Sequence, residues 1–469
     1  MVVFRSLSQL SVFKIIVFCL VFFQIQVYAK SPSKPAQFAS QTQIISKDVF
    51  EYTISNSKNI PELTNIKALK IAVDSTNLKF EAVSLVVKNL SIIKYYIDDV
   101  DALFFIGYLL DNNIYWAAKE IFDAVLVERD EGLSAQASYY MGRYFFERKG
   151  WEHAAEYLAK GNEYRSDYQA SHVNLMLGVS RQQLKKHRES LSFYQKIKPD
   201  SDFFRYAQLN TAIALLKQGW WADSYRVIRK TVINSASKKG DEFINRAYLI
   251  LGYGMLQSEY NKDASEAFKN IEEDSTYAQR AMLGLVFSSM GGDEFSYARN
   301  MLALIKRQEH KSLVVDEAYL LDAYVLEQMG MHDRALKEYQ QALSYYELKS
   351  RLISSLLGSK QQYSSKIMMA ITFNNTRLDL NDISFDLGAL SESVVSVDYR
   401  FLLELEKWGD SKLLPLSINK RLSLLINQHQ AAALNDAGLL LKSRQVSLQS
   451  YESQCRYAVA RLLDEAHLQ

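Results

Sequence analysis

From residue 62 onward apolar and polar positions follow one another at helical spacing with little to interrupt them, since prolines occur only at 32, 35, 61, 199 and 415 and glycines are sparse. That pattern predicts helices along nearly the whole chain and argues against an all-β fold. Within it a small residue recurs at Gly107, Gly142, Gly178, Ala212, Gly252, Gly284 and Ala323, at successive spacings of 35, 36, 34, 40, 32 and 39. Three of these units share their offsets. Gly252 is followed by Met255, Ala264 and Phe268, Gly142 by Phe145, Ala154 and Leu158, and Ala323 by Leu326, Ala335 and Tyr339. The others vary the theme. Ala212 leads to Ser224 and Ile228, and Gly178 to Ser190 and Tyr194; Gly107 leads to Ala118 and Phe122 through a turn one residue shorter, and Gly284 to Ala298 and Leu302 through two extra residues in Gly291-Gly292-Asp293.

Small residues at these offsets let two helices cross closely, where a larger side chain would push the backbones apart. One such hairpin cannot bury its apolar face alone, so neighbours must stack. The spacing and residue types resemble the tetratricopeptide repeat over roughly residues 67 to 345. The resemblance implies an all-α solenoid of stacked helical hairpins, about seven repeats over 101–364, with an inner surface lined by the first helix of each pair. It implies binding of protein or peptide segments and no particular pathway.

The flanks read differently. No acidic residue precedes Asp48, Arg5 and Lys14 supply a positive start, Ile15 to Phe23 is apolar, and Val27-Tyr28-Ala29 offers a cleavage site. Residues 1–29 therefore read as an export signal cleaved after Ala29, which places the mature chain in the periplasm. An uncleaved, inner-membrane-anchored form is the alternative, although Gln24 and Gln26 interrupt the apolar run that a spanning helix needs. Residues 30–60 read as a flexible leader and 61–100 as degenerate capping helices. A boundary near residue 365, where TFNNTRLDLND breaks the periodicity, opens a helical C-terminal region over 365–469. There Leu441, Leu448, Cys455 and Leu462 recur every seven residues on one long helix, either a cap folded back on the last repeats, the favoured reading, or a seam for a homodimer.

Charge narrows the classes. The full chain carries 55 Lys+Arg against 53 Asp+Glu, and Arg5 and Lys14 leave with the signal, so the mature chain is formally neutral. No field or basic stripe is present to attract nucleic acid, whose binding rests on many cation–phosphate contacts. Cys19 also leaves, so Cys455 has no intramolecular partner. Catalytic, metal and cofactor constellations are not found. The histidines at 153, 172, 187, 310, 332, 429 and 467 lack metal-ligand spacing. Gly252-Tyr253-Gly254 lacks the third glycine and preceding strand of a dinucleotide site. Asp98, Asp99 and Asp101 are better placed to favour a helix N-terminus than to hold a cation.

The repeat register assigns candidate groove residues to positions three before, one after and four after the small residue. The tally is Phe104, Tyr108, Tyr139, Phe146, Tyr206, Ile213, Leu249, Tyr253, Leu256 and Tyr324, with Arg143 and Arg246 as nearby cations. No Lys and Asn cluster suits a terminal carboxylate, whereas a Tyr-rich row suits an apolar or amphipathic segment with phenols bonding its backbone. Some of these rings are expected to pack between repeats. The sequence thus predicts a non-enzymatic periplasmic interaction scaffold or assembly factor of the bacterial envelope. The alternatives are the membrane-anchored structural component and a recruiting array fused to an enzymatic region over 365–469.

Overall fold

The computed structural model describes residues 35–57, 60–128, 130–161, 165–234, 241–308, 312–375, 377–380 and 383–467. The proposed signal over 1–29 lies outside the described residues. The fold is all-α apart from one two-stranded antiparallel sheet among the described residues. Two compact units are present. One takes the described residues up to Ala214 with Leu390–Ala433, the other Leu215–Ala389 with the described residues from Leu434 on.

Helices α1 (Pro35–Asn56), α2 (Ile66–Asp74), α3 (Lys79–Lys88) and α4 (Leu90–Tyr95) open the chain. Successive hairpins follow: α5 (Val100–Asp111) with α6 (Tyr115–Glu128), α7 (Glu131–Glu147) with α8 (Trp151–Leu158), and α9 (Asp167–Gln183) with α10 (His187–Tyr194). Next come α11 (Phe204–Lys217), α12 (Trp221–Asn234), α13 (Glu242–Gln257) with α14 (Asn261–Lys269), α15 (Ala278–Gly291) with α16 (Phe295–Lys306), and α17 (Leu313–Gln328) with α18 (His332–Gly358).

The recurring small residues sit on α5, α7, α9, α11, α13, α15 and α17, and all are buried. Their role is close approach. A β-carbon on Gly142 would stand 2.5 Å from Leu158, one on Gly178 2.2 Å from Tyr194, and one on Gly252 2.6 Å from Phe268. The glycine therefore meets the bulky residue sixteen positions on, while the small residue at twelve, Ala154, Ser190 or Ala264, is buried alongside. At Gly284 the contact changes partner, because its β-carbon would lie 2.3 Å from Phe268 of the preceding hairpin. Phe268 is thus wedged between α13 and α15.

Each first helix ends in one way. Asn113, Lys149, Lys185, Gly219, Glu259, Asp293 and Gly330 all have positive φ. The next residue's N–H reaches back five positions to a helical carbonyl, as in Gly150 to Phe145 at 2.8 Å, Tyr260 to Met255 at 2.9 Å and Met331 to Leu326 at 3.0 Å. This is the left-handed C-terminal cap that satisfies the last free carbonyls of a helix. It reverses the chain in two or three residues, so the second helix returns directly onto the first.

The stretch read as a leader contains α1. Thr42, Ile45, Ser46, Val49, Phe50 and Thr53 form its buried face. That face is half polar and its cover is remote in sequence: the Phe50 ring lies 5.0 Å from Trp408 and 5.9 Å from Phe80. Within the same unit the helix Val394–Asp410 packs along α1, and Arg421 pairs with Asp48.

Past α18 come α19 (Lys360–Thr372), strands β1 (Arg377–Leu380) and β2 (Ile383–Asp386), then α20 (Gly388–Ser391), α21 (Val394–Asp410) and α22 (Leu416–His467). The broken periodicity at TFNNTRLDLND is therefore a β-hairpin, with Leu378 opposite Phe385 and Leu380 opposite Ile383. An apolar residue at every second position on both sides of Asn381-Asp382 is the strand signal. The last part of α22 lies on the final repeat of its own unit. Leu441, Leu448, Cys455 and Leu462 are buried. Tyr451 meets Tyr346 at 5.6 Å, Arg456 reaches Glu347 at 3.0 Å and Arg461 reaches Glu327 at 2.7 Å. The heptad face is thus covered by α17 and α18. No helix among the described residues is long and apolar enough to cross a membrane.

Candidate functional site

In the unit that holds α5 to α10, the first helices carry connected side chains. Phe104 stacks on Tyr108 at 6.0 Å, and the Lys70 ammonium lies 4.9 Å from the Phe104 ring centre while bonding Asp101 at 2.5 Å. On α7, Arg143 bridges Asp111 of α5 at 2.6 Å and Glu147 at 3.1 Å. Asp111, Arg143 and Glu147, with Gly107, Leu110, Tyr140 and Tyr144, line a cleft between α5 and α7. Burial raises the Glu147 carboxyl in spite of Arg143, and burial with the nearby Asp74 raises the Tyr108 phenol.

The row continues onto α9. Tyr139 Oη stands 3.0 Å from His172 Nδ1, Gln136 and Gln169 exchange hydrogen bonds at 2.9 Å, and the His172 ring lies parallel to Phe203 at 4.7 Å. Burial, with Arg143 adding to it, lowers the His172 pKa, so the imidazole stacks as the neutral form at neutral pH. Tyr168, 60 % exposed, leans on Phe203 at 5.1 Å. Tyr206, 41 % exposed, is six rather than three residues before Ala212, and Arg205 both donates to its hydroxyl at 3.0 Å and covers its ring at 4.9 Å. Ile213 is half-buried, and Phe146 meets Trp151 edge-on at 5.5 Å, which makes it packing between α7 and α8.

In the other unit the predicted residues are drawn further into the core. Leu249 and Leu256 are buried, and Tyr324 packs half-buried against the same cluster. Tyr253 sets its ring edge-on to Phe268 at 5.0 Å and donates its hydroxyl to the Arg280 carbonyl at 2.8 Å, so its polar atom is already engaged. Burial raises its phenol, and Glu317 adds to the shift. Arg246 is exposed.

The repeat register omits the position six before each small residue, which holds Asp101, Gln136, His172, Tyr206, Arg246, Ala278 and Glu317, and of these only Tyr206 and Arg246 stand among the groove candidates named from sequence. The signal was present in α17, where Asp316, Glu317 and Asp322 interrupt an apolar run. All three are buried. Asp322 is met by Lys306 at 2.7 Å and Arg299 at 3.4 Å. Asp316 receives Arg444 at 2.8 Å and the Tyr345 hydroxyl at 2.7 Å.

The other motifs resolve locally. Asp99 caps α5 by accepting the Asp101 N–H at 2.9 Å. Gly252-Tyr253-Gly254 lies inside α13. His153 stacks on Phe145 at 5.1 Å. Among the described residues no group of three His, Cys, Asp or Glu could hold a metal ion.

No family model matches the chain, and no curated protein does. Among solved structures it is similar to a signal-transduction ATPase with a tetratricopeptide-repeat sensor from Pyrococcus horikoshii, at 14% identity and a TM-score of 0.39 over 64% of this chain and 52% of that one. The chain thus spans about half the length of that protein. A Rap protein complexed with competence and sporulation factor matches at 10% identity and a TM-score of 0.29, over 80% of this chain and 98% of that one. A circular tandem repeat protein matches at 10% identity and a TM-score of 0.10, over 90% and 99%.

Proposed function

We propose that this chain is an exported, non-enzymatic interaction scaffold of the bacterial envelope that holds an apolar or amphipathic segment of a partner protein against the inner sides of its first helices. The observation that carries this reading is the row from Phe104 and Tyr108 through Tyr139 and His172 to Phe203 and Tyr168. Phe104, Tyr108, His172, Phe203 and Tyr168 are partly or largely exposed there, Tyr139 is buried among them with its hydroxyl on His172, and the charges between them are paired. Rings of this kind bury apolar area at small entropic cost and keep a phenol free to bond a backbone.

Periplasmic placement is supported by the basic start, the apolar run from Ile15 to Phe23 and the small-residue site at Ala29. Amino-terminal sequencing of the mature protein, expected to begin at Lys30, checks the cleavage. For the binding surface, Tyr108→Ala with Tyr168→Ala is expected to abolish capture of the native partner from envelope extracts. Its unfolding free energy should stay within about 2 kcal/mol of wild type, as suits partly exposed positions. Full capture by that variant would sink the assignment. Tyr253 is unsuited to this test because its substitution would also open the core around Phe268.

A further inference from the structure

Glu317 is the buried acid that the packing does not use. It is 3 % exposed, and its position on α17 is the one that presents Gln136, His172 and Tyr206 on other first helices. Its neighbour Asp316 turns toward α18 and α22, where Arg444 and Tyr345 satisfy it and Lys349 adds positive charge. Glu317 faces the other way. Its carboxyl and the Tyr253 hydroxyl of α13 feel each other's charge, and that hydroxyl bonds the Arg280 carbonyl of α15, so the group lies where α13, α15 and α17 stand side by side. Among the described residues no hydrogen-bond donor and no cation meets it. Burial and the like charge of Asp316 push it up to about 8.

A carboxyl buried without a partner costs free energy that a leucine would not. Packing alone gives no reason for it. A cation brought to such a group gains strongly, because water no longer screens the pair. We propose that Glu317 receives a lysine or arginine side chain from a partner polypeptide lying along α13, α15 and α17, the Tyr253 ring walling the aliphatic stem. This rests on the proposed scaffold function and names one anchor of its partner. A single carboxyl with no companion ligands does not suit a metal ion.

The proton balance gives a readout that a structural role would not move. Below about pH 8 the carboxyl is mostly protonated, and pairing with an ammonium or guanidinium requires that proton to leave. Affinity should therefore rise with pH up to about 8 and then level. The other charged groups close by are Asp316 on the same helix, Arg280 on α15, and Lys349 and Arg444 beyond Asp316.

The test uses two libraries of 12-residue amphipathic peptides on the full mature chain, alike except for a central lysine or norleucine. Lysine peptides are expected to bind at least tenfold more tightly at pH 8 than their norleucine twins, to weaken about tenfold at pH 6.5, and to release, by calorimetry in two buffers, about half a proton on binding at pH 8 and close to one at pH 6.5. Glu317→Gln should remove the lysine preference and the proton release while keeping norleucine binding, and Glu317→Leu serves if the glutamine variant folds poorly. Equal binding of both libraries, or an unchanged preference in Glu317→Gln, overturns the anchor and leaves the scaffold reading standing. Binding of neither library, by a chain that also captures nothing from envelope extracts, removes the scaffold reading and the anchor with it.

Discussion

Gly178 and Tyr194 stand sixteen residues apart on the two helices of one hairpin, and a β-carbon on the glycine would come 2.2 Å from the tyrosine ring. The ring is fully buried, and its hydroxyl donates to Gln182 at 2.9 Å, so it cannot swing aside. Gly178→Ala should therefore destabilise by about 1 to 3 kcal/mol, the usual cost of overpacking a tight contact. Denaturant unfolding checks it, and an unchanged midpoint would mean that α9 and α10 do not cross there.

The left-handed turns make an opposite prediction. Lys185 and Glu259 hold positive φ that a side chain resists, and Gly330 holds it where a β-carbon would meet nothing within 4 Å. Lys185→Gly and Glu259→Gly should each stabilise by about 0.5 to 1 kcal/mol, because the relieved strain exceeds the added chain entropy. Gly330→Ala should destabilise by about 1 kcal/mol through backbone strain alone. Melting temperatures of the three variants decide it.

Cys455 is buried near Tyr339 and Tyr346 of α18, and burial pushes its thiol up to about 12. A chain beginning at Lys30, with Cys455 as its one cysteine, should leave a thiol reagent nearly unreacted at pH 8 and titrate one thiol when unfolded. On a non-reducing gel it should run as a monomer. A disulfide-linked dimer would instead mean that the heptad face of α22 opens.

Removing Phe50 tests how firmly α1 is held. Its ring is fully buried against Trp408 and Phe80, so Phe50→Ala should cost about 3 to 5 kcal/mol. A change below about 1 kcal/mol would return α1 to the status of a loose leader.

His429 gives the unit a pH dependence. Its Nδ1 lies 2.9 Å from the Leu425 carbonyl and its Nε2 3.3 Å from Thr42 Oγ1 of α1, with Asp398, held by Arg148 at 3.1 Å, close by. Burial lowers the His429 pKa in spite of that carbonyl and Asp398. Below its ordinary pKa of 6.5 the unfolded chain takes up a proton that the native ring resists, so stability falls as pH drops toward the lowered value. The slope from this group is at most about 1.4 kcal/mol per pH unit. Burial raises Asp398, which works in the opposite sense. Unfolding free energies of His429→Gln between pH 7 and 5 should fall less than those of wild type, and parallel curves would exclude His429 as the source.

Much of the array was legible in the residues themselves. The row from Gly107 to Ala323 marks the seven first helices, and the bulky residues Phe122, Leu158, Tyr194, Ile228, Phe268, Leu302 and Tyr339 are the buried ones of the second helices. Part of the aromatic row was legible too, at Phe104, Tyr108 and Tyr139, because the same register that buries Gly107 and Gly142 sets the neighbouring turn of the helix. Tyr253 was placed on the right helix, but which way its hydroxyl turned depended on the Arg280 carbonyl of the next repeat.

The sequence by itself determined the hairpins, since a hairpin's contacts join residues about sixteen apart and must repeat wherever the hairpin repeats, which writes them into the spacing. Only the tertiary structure decided that α1 packs on α21, that Arg444 of α22 closes on Asp316, and that Glu317 is left without a partner. Those contacts join segments more than a hundred residues apart, and each is made once. A contact made once has no period, and the side chains that make it read in sequence as ordinary surface residues until the fold brings them together.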